Sequence, residues 1–315
     1  MTASAQATAL KSELRALGTP QRAASERAYL KSDLEFTGTA VPATRSVIKS
    51  WCRARPGLTR GELVAVTWAL WARPVFECRM AAVELLDARA ALLRADDAVL
   101  IEHMLRTAGT WALVDGLAEH VIGGLTERCR ELATTLDRWA RDDDFWLRRS
   151  AMLALLRPLR RGEGDFERFS RYADQMLEEK EFFIRKAIGW VLRDTAKRRP
   201  EMIAAWLAPR AHRASGVTLR EAVRPLPAGV RERLLAARRG SLSGALRHRP
   251  PAARNRAGGA SSRYPGAQST RSASHLRRRR CSHCRLVQAC RATTTMRMTL
   301  EIACQRILER GSSQS

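Results

Sequence analysis

Two stretches of this chain repeat one another 37 residues apart, and that repetition limits the fold more than any other feature. Phe145-Trp146-Leu147-Arg148-Arg149-Ser150-Ala151-Met152 is echoed by Phe182-Phe183-Ile184-Arg185-Lys186-Ala187-Ile188-Gly189, and acidic residues precede both. The same slot extends backwards to Asp115 in Val114-Asp115-Gly116-Leu117 and to Arg79 in Cys78-Arg79-Met80-Ala81, in steps of 34 and 36 residues. Steps of that size match one helix pair. Between Ser4 and about Arg238, apolar residues recur every three to four positions, as in Glu62–Leu70, Arg79–Leu86, Phe145–Leu156 and Phe182–Leu192. Clusters of Gly, Pro or Asp divide these segments, and no alternating pattern competes with the helical period. A single helix pair cannot bury its apolar stripe alone, so neighbouring pairs must stack. The expected fold is all-α, a solenoid of right-handed type with one continuous core and one concave face.

Equivalent slots of stacked repeats line up along one surface, so Arg79, Asp115, Arg149 and Lys186 are expected in a row. Taken alone, such a row reads as a solvated charge stripe, which is common on solenoids. The formal charge of +24 is larger than solubility requires. It points to a polyanionic partner, nucleic acid first and an anionic membrane surface as the rival. The charge is uneven: 41 Lys and Arg stand against 30 Asp and Glu through residue 240, and 15 against 2 after it. Beyond Arg238, Gly, Ser, Pro, Ala and Arg dominate, Lys is absent, and Arg277-Arg278-Arg279-Arg280 interrupts any period. Residues 1–240 are therefore expected to form one domain and residues 241–315 a basic, disordered tail. The tail composition also resembles a GC-rich gene read out of frame, which resequencing of the source gene would decide. Cys281, His283, Cys284, Cys290 and Cys304 lack a second matched ligand pair, so no zinc site is expected there. Cys52, Cys78 and Cys129 are scattered through the amphipathic body and read as buried small apolar side chains. No run of 18 apolar residues occurs, and Met1–Lys11 lacks a charged start followed by an apolar stretch. A cytoplasmic protein without a membrane partner is expected.

The stretch Lys180-Glu181-Phe182-Phe183-Ile184-Arg185-Lys186-Ala187-Ile188-Gly189-Trp190-Val191-Leu192-Arg193 resembles the signature of the AlkD-type DNA alkylation repair enzymes, the HEAT-like-repeat DNA glycosylases. Three further segments fall in that family's order: Ala28-Tyr29-Leu30-Lys31, Trp111-Ala112-Leu113-Val114-Asp115 and Asp144-Phe145-Trp146-Leu147-Arg148-Arg149. The stretch through Trp190 is long and unusual, whereas the tetrapeptide at Tyr29 gains weight only from its place. The similarity covers about residues 5–235. It implies a HEAT-like helical-repeat solenoid with a concave DNA-binding face. Carried over by motif, the catalytic carboxylate falls on Asp115 and the two cation-facing indoles on Trp111 and Trp190. The backbone-contacting arginine falls on Arg149, and an aromatic beside the lesion on Tyr29. One position departs from the pattern: the family has an acid directly after the first Trp, where this chain has Ala112.

The spacing of these residues agrees with such a site. Trp111 and Asp115 are one helical turn apart and share a face, as do Lys186 and Trp190. Individually each has a plainer reading. Either indole can be core packing, Asp115 a capping acid, and Arg149 an ion-pair partner of Asp142, Asp143 or Asp144. Their joint placement in four matching segments outweighs those readings. A purine alkylated at N3 or N7 is cationic, and an indole face attracts a cation by up to about 2 kcal/mol where water is excluded. Asp115 would stabilise the positive sugar that develops as the base leaves, and would orient the attacking water. Arg149 is expected to grip a phosphate, with Lys186 and Arg185 adding unspecific phosphate attraction.

The expected function is monofunctional hydrolysis of the N-glycosidic bond of 3-methyladenine- or 7-methylguanine-type bases in double-stranded DNA, by a monomer without metal or organic cofactor. The alternatives are a noncatalytic HEAT-repeat protein that binds damaged or branched DNA, and a protein-binding helical scaffold.

Overall fold

A computed structural model describes residues 1–247, with side chains described through residue 239. Short polar residues start many of the helices by accepting hydrogen bonds from otherwise orphaned backbone N–H groups. Thr2, Thr19, Asp144, Asp165, Glu181 and Ser215 do this, and Thr59 forms a reciprocal capping box with Glu62. Among the described residues the helices in order are α1 (Ala3–Ala16), α2 (Pro20–Leu30), α3 (Val41–Arg53), α4 (Arg60–Trp71), α5 (Phe76–Ala88) and α6 (Ala98–Thr107). Next, α7 (Trp111–Gly116) runs through a π-helical stretch, Leu117–Ile122, into α8 (Gly123–Arg128). The series continues with α9 (Leu132–Trp139), α10 (Phe145–Leu153), α11 (Leu156–Arg160), α12 (Phe166–Met176), α13 (Phe182–Ala196), α14 (Pro200–Leu207), α15 (Gly216–Ala222) and α16 (Ala228–Arg247). The strand-like pairing among these residues is a single parallel bridge, Glu35 to Val75.

The stack is stitched at the repeat distance. Arg60 pairs with Asp97, 37 residues on, and Arg106 with Asp142, 36 residues on. Trp139 Nε1 donates to Glu102 across 37 residues, Trp206 Nε1 to Ser170 across 36, and Arg210 to Asp174 across 36. Side-chain bonds at one recurrent separation are what nearest-neighbour packing of helix pairs produces. One apolar core runs beneath them from Ala7 to Leu234.

α13 packs against α10, α11 and α15. It approaches α15 tightly at Gly189, where an added Cβ would lie 2.8 Å from Glu221 Cβ and 2.9 Å from the Thr218 carbonyl oxygen. Gly189→Ala must push α15 away, and overpacking of this kind costs about 1–3 kcal/mol. The expected result is a lower urea midpoint at unchanged slope; an unchanged midpoint would show that α15 moves aside freely.

α2 is built differently. None of its residues is buried, and it ends on Lys31 in the left-handed region at φ 48°. The loop that follows is anchored by the buried Glu77 carboxylate. It accepts the backbone N–H groups of Thr37, Gly38 and Thr39 at 2.9, 2.6 and 3.3 Å. Gly38 adopts φ 81° and approaches the Thr19 carbonyl too closely for any side chain.

Three expectations bear comparison with this fold. Arg79 does not join the expected row of charges, because its guanidinium folds back onto the carbonyls of Trp71 and Thr107. α16 runs across the boundary expected at residue 240, and the weak helix formers Gly240 and Ser241 do not end it. Cys52 and Cys78 are buried free thiols and Cys129 is half-buried and free. The cysteines and arginines singled out in the tail lie outside the described residues. Among the described residues no helix is long and apolar enough to cross a membrane.

Candidate active site

One groove of about 730 Å³ receives side chains from four separate elements. Tyr29 and Lys31 come from the end of α2, Trp111 and Asp115 from α7, Trp146 and Arg149 from α10, and Phe182, Phe183, Lys186 and Trp190 from α13. Trp111 and Asp115 reach the same groove because they are one turn apart, and Lys186 and Trp190 do so for the same reason. The repeat period then sets α7, α10 and α13 side by side.

Asp115 and Arg149 form the floor. Arg149 donates from Nε and Nη2 to the two Asp115 oxygens at 2.8 and 2.9 Å, and from Nη1 to the Phe183 carbonyl at 2.5 Å. Its side chain is 3% exposed and that of Asp115 is 15% exposed. Burial raises the Asp115 pKa above its ordinary value of 3.8. The Arg149 charge and hydrogen bonds oppose that rise, and the negative Glu119 one turn along adds to it. In this structure the Arg149 guanidinium is engaged by Asp115 and by the Phe183 carbonyl. Its fork geometry matches a carboxylate, and the stack brings Asp115 to it.

The aromatic residues form the walls. Tyr29 is 72% exposed and meets the Trp111 ring edge-on, with centroids 5.9 Å apart. Trp190 is half-buried, and its Nε1 donates to Asp194 at 3.1 Å. The Arg149 guanidinium lies 5.8 Å from the Phe183 ring and 6.0 Å from the Trp190 ring. Three indoles, a phenol and an ionisable carboxyl thus share one concave space. That combination can hold a flat cation and support positive charge developing at a bond beside it.

The basic residues are partly committed elsewhere. Lys186 lines the groove but pairs with Glu221 at 2.6 Å, while Arg185 donates Nε to the Glu179 carbonyl. Lys31, Trp146, Phe182 and Phe183 were not among the expected site residues. Trp146 and Phe183 pack 4.9 Å apart, and Phe182 is 53% exposed at the rim. The signal for these aromatics lay in the repeat itself, since Phe145-Trp146 and Phe182-Phe183 occupy matching slots before the basic residues. At Ala112, where the resembling family has an acid, α7 has no acidic first turn and no side-chain cap. The Thr110 hydroxyl next to it is buried without a partner.

The sequence model of the family described as "DNA alkylation repair enzyme" matches residues 10–226. A solved Enterococcus faecalis structure, described as that of a predicted DNA alkylation repair enzyme, superposes with a TM-score of 0.61 at 21% identity. The match covers 67% of this chain and 97% of that one. The crystal structure of AlkD2 from Streptococcus mutans gives a TM-score of 0.48 at 16% identity, over 60% of this chain and 91% of that one. The search of curated proteins returned no match. With that family's sequence model spanning most of the chain, this protein belongs to the DNA alkylation repair enzyme family.

Proposed function

We propose that the chain is a DNA glycosylase that hydrolyses the N-glycosidic bond of cationic alkylated purines and leaves an abasic site. The observation that carries this reading is the Asp115 carboxyl, held by Arg149 at the floor of a groove that Trp111, Trp190 and Tyr29 also line. The indoles favour a charged base over a neutral one, because a cation gains from the ring quadrupole and a neutral base gains much less. As the glycosidic bond breaks, the base departs neutral and the sugar becomes oxocarbenium-like. The negative Asp115 lowers the energy of that state and can orient a water toward the sugar carbon. No covalent intermediate with the protein is needed. Tyr29 at the open rim accommodates a base that stays near the duplex, and the open groove tolerates bulky adducts.

The test is release of free base from duplex DNA containing 7-methylguanine or 3-methyladenine. Release of the methylated base with no release of guanine supports the reading. DNA binding without release of either base would favour the noncatalytic alternative, a protein that binds damaged or branched DNA. Acidity supplies a second check. Asp115 acts in its ionised form, and burial holds its pKa above 3.8. Base release is therefore expected to be lost as pH falls through that raised value. The acid limb should sit at higher pH than that of an exposed aspartate; a limb at or below 3.8 would argue against Asp115 as the essential ionised group.

A further inference from the structure

Behind the groove, and outside its lining, three charged side chains join the helix of Asp115 to the helix of Trp190. Arg160, on α11, donates from Nη1 to Glu119 Oε1 at 2.5 Å and from Nε to Asp194 Oδ2 at 3.0 Å. Glu119 lies one turn beyond Asp115, in the π-helical stretch. Asp194 lies one turn beyond Trp190 on α13, and the same Oδ2 accepts the indole Nε1–H at 3.1 Å. The side chains of Glu119 and Asp194 are 9% and 5% exposed, so both carboxylates have left water to make these contacts. Arg193 and Lys197 complete the hydrogen bonds of Asp194, through its other oxygen at 3.3 and 2.9 Å. Burial pushes the Asp194 carboxyl up, but Lys197 and Arg160 together hold it below its ordinary pKa.

The groove face carries a parallel tie. Arg149 joins Asp115 to the Phe183 carbonyl, which is also on α13. Two arginines thus link the same pair of elements, one at the floor of the groove and one behind it. We propose that Asp194, braced by Arg160, is a positioning residue for Trp190: it fixes the rotation of the indole, and with it the ring's fit against a cationic base. The argument has three steps. An indole has a single N–H, so one acceptor on that atom constrains ring rotation about the Cβ–Cγ bond. Cation–π attraction depends on the cation lying over the ring face. Asp194 itself cannot turn freely, since both its oxygens are engaged. This inference rests on the glycosylase reading for its effect on base release, but not for its effect on the indole.

The experiment uses the full chain labelled with 5-fluorotryptophan, with the Trp190 resonance assigned by its disappearance in Trp190→Phe. Asp194→Leu removes the indole acceptor, and Asp194→Asn keeps an oxygen for it. The expected result is a shifted and broadened Trp190 fluorine line in Asp194→Leu and a line near the parent position in Asp194→Asn. Excision of 7-methylguanine should fall roughly ten- to a hundredfold in Asp194→Leu, as misplacement of a reacting group produces, and much less in Asp194→Asn. Affinity for undamaged duplex should be unchanged in both. Arg160→Met cuts the brace at a side chain that is 38% exposed, and should also broaden the Trp190 line if Asp194→Leu does not fold. An unaltered Trp190 line in Asp194→Leu and Arg160→Met overturns the proposal. So does an equal loss of excision in Asp194→Leu and Asp194→Asn, which would trace the effect to lost charge. If the parent chain releases no base, the glycosylase reading fails while the fluorine line still decides the role of Asp194.

Discussion

Asp115→Asn is expected to lower release of 7-methylguanine from duplex DNA roughly a hundred- to a thousandfold, the range seen when one preorganised electrostatic stabiliser is lost. Asn is nearly isosteric and keeps one oxygen toward Arg149, so the variant should lose stability but retain parental helicity and binding of undamaged duplex below its unfolding transition. What disappears is the negative charge that the proposed mechanism sets toward the sugar. A single-turnover assay separates this from a binding defect, because the rate constant at saturating protein should carry the loss. If Asp115→Asn releases base at the parental rate, Asp115 is not the catalytic carboxylate, and the groove's chemistry must be assigned elsewhere.

Arg149→Met tests the other half of the pair through stability. The Arg149 side chain is 3% exposed, so the substitution leaves a largely buried carboxylate facing an apolar chain. Breaking a buried pair from one side costs about 3–5 kcal/mol. Urea unfolding should show that loss at unchanged slope. The pH dependence of stability has a definite sign. Burial holds Asp115 above 3.8, so the folded chain keeps a proton that the unfolded chain releases. Through the window from 3.8 up to the raised value, the Asp115 contribution to stability falls as pH rises, and above that window the fall is complete. Removing the Arg149 charge extends the window upward, so the variant should be closest to parental stability in acid and weakest near neutrality. A uniform loss at every pH would mean that Arg149 acts through packing and its bond to the Phe183 carbonyl alone. Arg149→Lys should recover only part of the loss, since an ammonium cannot grip both carboxylate oxygens in the fork arrangement.

Much of the architecture was legible in the sequence because a solenoid advertises itself. The steps between Arg79, Asp115, Arg149 and Lys186 are close to the separations at which side-chain bonds tie the stack. The convergence of Trp111, Asp115, Arg149 and Trp190 followed from helical spacing combined with family motifs. Partner choice was not legible. Asp142, Asp143 and Asp144 precede Arg149 and offered the plainer reading of it, an ion pair. In the structure Asp142 pairs with Arg106, Asp144 caps α10, and the carbonyls of Asp142 and Asp143 go to Arg148. Which carboxylate meets which guanidinium is decided by how far α7 and α10 are offset in the stack, and helical periodicity does not encode that offset. The failure at Arg79 has the same origin: equivalent slots share a face, yet a long side chain can turn back to free carbonyls at a neighbouring helix end.

The outer wall of the groove has a property of its own. α2 carries Tyr29, buries none of its residues, and is flanked by a left-handed Lys31 and the Glu77 cradle. An element with so little apolar contact separates from the body at a small fraction of the global unfolding energy. Its amide hydrogens should accordingly exchange with solvent long before those of α13, whose inner face is fully covered. On the glycosylase reading proposed above, α2 can open to admit DNA and let the freed base go while Asp115 and Arg149 stay clasped.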